Sequence, residues 1–221
     1  MSKLMIRLVP LLVLLLLAGV PQANAQGVSA YFGLGSATDS PATSAGCANQ
    51  QISDPFSGFT PPASCVPAQG LGGVFGVFGA DFMIKPHLGI NGEYSFRFAQ
   101  ADYLPNEGLK VRPGFYDFNA VYQPTSGDKR IVPVIEGGIG GAKLSYYVSQ
   151  SAGSLFTQSQ FYSSSSHFQI HGAVGVKLYV KSDIFIKPQI DLHWVDNLTD
   201  QYGRDFVPEY TISIGYTFGR Q

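Results

Sequence analysis

From residue 26 onward the chain alternates apolar and polar positions with a period of two, the signature of strands whose two faces meet different surroundings. From Leu88 to Ala99 one face reads Leu88, Ile90, Gly92, Tyr94, Phe96, Phe98, and the other carries Glu93 and Arg97. From His167 to Lys181, Phe168, Ile170, Val174, Val176, Leu178 and Val180 oppose His167, Gln169, His171 and Lys177. Ile184 to Val195 sets Ile184, Ile186, Pro188, Ile190, Leu192 and Trp194 against Lys187, Gln189, Asp191 and His193. Near the end, Tyr210, Ile212, Ile214, Tyr216 and Phe218 oppose Glu209, Thr211, Ser213 and Thr217. Weaker copies cover Gln26 to Gly35, Val74 to Lys85 (with Asp81), Val111 to Gln123 (with Asp117) and Ile131 to Ser145 (with Glu136). That makes about eight strands of the length a tilted membrane strand needs.

The connections alternate in length. Lys85-Pro86-His87, Thr125 to Arg130 and Lys181-Ser182-Asp183 are tight, whereas Ser36 to Gly70, Gln100 to Lys110, Tyr146 to Ser166 and Asp196 to Phe206 are long. Short turns on one side and long loops on the other predict an all-β, closed, antiparallel, eight-stranded, up-and-down transmembrane barrel. A soluble eight-stranded barrel would carry its apolar face inside instead. The aromatic-rich apolar faces and a charged fraction of only 13% favour the lipid-facing arrangement. Asp81, Glu93, Arg97, Asp117, Glu136, Lys177, Lys187, Asp191 and Glu209 are then expected to form a polar network in the lumen, because charge at the lipid midplane costs about 2–4 kcal/mol. Pro113, Pro133, Pro188 and Pro208 cannot donate to a ladder and are expected near strand ends or at bulges.

Residues 1–25 are read as a signal peptide. Lys3 and Arg7 precede an apolar run from Leu8 to Val20, and Ala23-Asn24-Ala25 is a small-x-small site, so cleavage is expected between Ala25 and Gln26. The run is shorter than the roughly 20 residues a spanning helix needs. The barrel domain is expected over 26–221, in the outer membrane of a bacterium. Without Lys3 and Arg7 the 14 basic residues become 12 against 15 acidic ones, a net charge of −3. That balance excludes phosphate-driven nucleic-acid binding. Cys47 and Cys65 flank a Pro/Ser/Gly-rich stretch and, in an exported chain, are expected to close it as a disulfide.

Candidate chemistry is sparse. His171, His193 and Asp191 could hold a metal, but histidines in a polar lumen are more often simply hydrogen-bonded, so neither metal nor cofactor is expected. The runs Gly72-Gly73 and Gly137 to Gly141 lack the Lys-Ser/Thr ending of a phosphate loop. An eight-stranded lumen is just wide enough for side chains to fill. A filled structural barrel is therefore the main expectation, and a narrow ion path is the alternative. The loops over 36–69 and 150–166 are the candidates for binding an extracellular ligand.

The alternating strands, Gly-Ala-Asp-Phe-Met at 79–83, Gly-Glu-Tyr-Ser-Phe-Arg-Phe at 92–98 and Gly-Tyr-Thr-Phe at 215–218 resemble the small outer-membrane β-barrel domain family, of OmpA and OmpX type. The resemblance covers 26–221. It implies that Tyr216 and Phe218 serve as the terminal signal read by the barrel-assembly machinery, although Gly219-Arg220-Gln221 follow. Some barrels of this size are lipid A-modifying enzymes. The His-x-Ser that a deacylase of that kind carries does not occur here, so no enzyme activity is expected.

Overall fold

The computed structural model describes residues 27–38, 71–104, 109–125, 129–151, 157–198 and 205–219. The cleavage site at Ala25 and Gln26, both cysteines, and most of the loop over 36–69 lie outside the described residues. Every regular element among those described is a strand: β1 (Val28–Ala37), β2 (Gly73–Lys85), β3 (Leu88–Arg97), β4 (Ala101–Leu104), β5 (Leu109–Tyr122), β6 (Ile131–Ser151), β7 (Thr157–Tyr179), β8 (Ile184–Val195) and β9 (Phe206–Phe218). Apart from β3 and β4, neighbours in sequence pair antiparallel, and the first and last strands meet in register from Val28↔Phe218 to Ala37↔Glu209. The sheet thus closes on itself. The short β4 continues β3 along β5, with Phe96↔Gly114 followed by Ala101↔Val111, so the wall has eight staves.

Side chains alternate across this wall as the pattern predicts. Phe32, Phe78, Ile90, Phe118, Ile139, Val174, Ile190 and Ile212 point outward and are exposed, whereas Asp81, Glu93, Asp117, Glu136, Lys177, Lys187, Asp191 and Glu209 are buried inside. This is the lipid-facing arrangement, the inverse of a soluble barrel.

Two details differ from expectation. The stretch from Tyr146 to Ser166 is mostly not loop: β6 runs to Ser151 and β7 begins at Thr157. Its Ser/Gln-rich sequence carries no apolar alternation, and the two strands are joined there by backbone pairing from Tyr146↔Ser163 to Ser151↔Thr157, with the Tyr147 and Phe161 rings in edge contact. At 21 residues, β6 reaches about 50 Å along the axis at the usual rise and tilt, about twice the height of a lipid-facing band. Tyr162, between the pairs Tyr146↔Ser163 and Tyr147↔Phe161, is the extra residue of a bulge in this ribbon. Pro188 sits in mid-strand rather than at a strand end. The β7–β8 ladder passes from Gly175↔Gln189 to Leu178↔Ile186 without a shift of register, leaving the missing donor at a gap in one ladder only. Pro113, Pro133 and Pro208 occupy paired positions facing Leu144, Val176 and Leu192.

Candidate functional site: the polar lumen

Inward positions of the strands stack into layers along the axis. Toward the short turns lie small groups of apolar side chains, Met83, Val121 and Val134 in one and Val132, Tyr179 and Phe185 in another. Toward the long-loop end lies a larger cluster built around Leu71, Phe75, Phe115, Leu144, Leu198 and Val207. The polar network lies between them.

Its lower half is a set of lysine ion pairs. Lys177 Nζ lies 2.7 Å from Asp81 Oδ2, and Lys187 Nζ lies 2.7 Å from Glu136 Oε1. Tyr31 is the hub. Its hydroxyl donates to Glu93 Oε2 at 2.6 Å and accepts from Asn91 at 2.8 Å and Lys187 at 3.2 Å, while the Lys187 ammonium sits 4.2 Å from the Tyr31 ring centre. Both lysines are fully buried, a position ammonium groups hold only when paired.

The upper half contains histidines. His171 Nδ1 is 3.0 Å from Asn119 Oδ1, and its Nε2 is 3.2 Å from Asp191 Oδ1. Gln189 Nε2 and Thr211 Oγ1 donate to Asp191 at 2.5 and 3.3 Å. Gln169 Nε2 donates to Asp117 Oδ1 at 2.5 Å, and Ser95 donates to Glu209 at 2.9 Å. The His193 ring stacks between Phe115, at 4.5 Å, and His171, at 4.9 Å. Gly140 faces the lumen beside Asp117: a Cβ there would collide with the Tyr116 carbonyl oxygen and come within 2.7 Å of Asp117 Oδ1, so only glycine fits this close approach of strands.

Two solved structures share this architecture. Neisserial surface protein A is similar with a TM-score of 0.51 at 10% identity, over 87% of this chain and 96% of that one. A major outer membrane protein from Thermus thermophilus is similar with a TM-score of 0.51 at 10% identity, over 86% of this chain and 99% of that one. The fold is that of a small outer-membrane barrel. No protein-family model matches the sequence, and no curated protein matches it.

Eight of the nine residues expected in the lumen of this outer-membrane barrel fold are buried there. The ninth, Arg97, is half-buried near the long-loop end of β3. Gly73, at φ +143°, lies directly against its guanidinium, and a side chain at that position would collide with it. Of the histidines considered for a metal, His171 and His193 come together, but the acid that completes a compact trio with them is Asp117 rather than Asp191. His167 stands apart, bonded to the Asp196 carbonyl and Ser165. Tyr216 and Phe218 face outward with ring centres 4.8 Å apart. Sequence reasoning does not single out Tyr31. The alternation with Ala30 and Phe32 puts it inside, yet a lone aromatic on a weakly patterned strand gives no hint that several polar groups converge on it.

Proposed function

We propose that this chain is a bacterial outer-membrane protein whose sealed barrel is a rigid, non-catalytic scaffold for a surface-interaction role at its long-loop end. What supports this reading is the pairing of buried ions in the lower lumen together with the apolar cluster toward the long-loop end, which among the described residues argue for packing rather than a polar path. An eight-stranded wall offers little width beyond that of its own side chains. Membrane placement is supported by the outward apolar belt and by where outward charge begins. Arg112, stacked 5.5 Å from the Tyr147 ring centre, and Lys143, on the neighbouring strand, face out near the long-loop end. Arg112 lies ten residues above Tyr122, about 25 Å along the axis and thus at headgroup height. Acyl chains of the membrane are the expected partner of the belt, and the barrel-assembly machinery is the expected partner during insertion.

The β6–β7 ribbon, with exposed Phe161 and Tyr162, and the loop over 36–69 are the surfaces offered to an extracellular ligand. Planar-bilayer recording of the refolded chain tests the scaffold reading. Silence is expected, and steady, reproducible conductance would establish the narrow pore instead. Lipid A should have the same mass with and without the chain in the cell; a changed acylation pattern would make it an enzyme.

A further inference from the structure

We propose that Asp117, His171 and His193 form a site for one divalent transition-metal ion of the zinc class inside the lumen. One ligand atom from each lies within 4.8 Å of the others, and all three side chains are buried. They come from β5, β7 and β8, so the site would tie three staves together.

The strongest sign is His193. Its ring is 1% exposed, yet neither nitrogen has a hydrogen-bond partner. Nδ1 points toward Asp117 Oδ2 at 3.9 Å, and Nε2 points toward Glu209 Oε2 at 3.4 Å. Buried imidazole nitrogens are normally satisfied, and one left bare beside a carboxylate marks a missing partner. A metal ion between Nδ1 and Asp117 supplies it. Tetrahedral bonds of about 2.0–2.1 Å put ligand atoms about 3.4 Å apart, so the trio, within 4.8 Å, needs to close by at most about 1.4 Å.

The surroundings are already those of a ligand shell. Metal-bound histidines hand their second N–H to a carboxylate or carbonyl. His193 Nε2 faces Glu209, itself held by Ser95. His171 has such an acceptor on either side, Asp191 or the Asn119 amide oxygen, whichever nitrogen binds the ion. Gln169 fixes Asp117 through Oδ1, which leaves Oδ2 toward the site.

Charge points the same way. Among the described residues six buried carboxylates share the lumen with two buried lysines, and both lysines are paired in the lower half. Asp117, Asp191 and Glu209 face the histidines instead. Charging both imidazoles would offset this, but their stacked rings, 4.9 Å apart, would then set two cations face to face. A dication held by neutral imidazoles balances the carboxylates without that repulsion.

All three ligand side chains are buried, so loading is expected during folding. The test is to refold the untagged chain in detergent with Co²⁺ or Zn²⁺, desalt it, and measure bound metal and the Co²⁺ absorption spectrum. About one ion per chain is expected, with a visible spectrum characteristic of nitrogen and oxygen ligands. H193Q and D117N, each confirmed as folded by heat-modifiable electrophoretic mobility, are expected to retain at most about a tenth of that metal. Equal metal in wild type and folded variants would overturn the site. If neither variant folds, the wild-type spectrum decides: a folded wild-type chain that desalts free of Co²⁺ overturns it as well.

Discussion

Lys187 shows what a single buried inward residue does. Its ammonium joins Glu136, the Tyr31 hydroxyl and the Tyr31 ring, and no part of it reaches the surface. Removing one member of a buried pair leaves the other charge without compensation, at a cost of about 3–5 kcal/mol. Lys187→Met is therefore expected to lower the urea midpoint of the refolded chain substantially. Adding Glu136→Gln should recover most of the loss, since the stranded carboxylate is then gone. Equal stability of K187M and wild type would mean that Glu136 finds another partner or is already neutral. The two halves of the network differ in this respect: Asp81 and Glu136 are paired with buried lysines, whereas Asp117, Asp191 and Glu209 face histidines.

At the scale of one strand, β8 carries the whole inside-out argument. Gln189 is buried between Asp191 and Glu93, and Ile190 points out at 41% exposure. Ile190→Arg places a cation in the belt at a cost of about 2–4 kcal/mol, whereas Gln189→Arg brings one to two carboxylates. Refolding into vesicles, scored by heat-modifiable mobility, should fail for I190R and succeed at least in part for Q189R. Equal yields would reverse the assignment of faces. That assignment is legible in the sequence because β8 alternates strictly and its charges fall on one side. The far ends of β6 and β7 are not legible, since Ser and Gln serve equally well in a loop or in a paired ribbon. Pro188 is legible as an anomaly but not as a location: a gap in one ladder depends on the neighbouring strand, which the local sequence does not encode. The charged lumen residues can be found by parity, but their partners cannot. Asn91, Asn119, Gln169 and Gln189 lie on the same inward faces, and which acid each one meets depends on the stagger of the closed barrel.

For the whole molecule, closure and polarity together dictate the solvent it requires. Closing β1 on β9 leaves no strand edge among the eight staves, so every ladder can be satisfied without water. The price is an outer surface that water cannot cover well. Phe32, Phe78, Ile90, Phe118, Ile139, Val174 and Ile212 come from seven different strands and encircle the barrel. At strand spacing and tilt, eight staves with a band about 25 Å tall present on the order of 1,000 Å² of apolar wall, well above the few hundred Å² that soluble monomers tolerate as a patch. The purified barrel should therefore hold a monomeric, heat-modifiable state in detergent or lipid and associate when the detergent is removed. Light scattering across a detergent dialysis measures this directly. A chain that stayed monomeric and folded after dialysis would mean that the outward belt is covered by something else, and the membrane reading would fall with it.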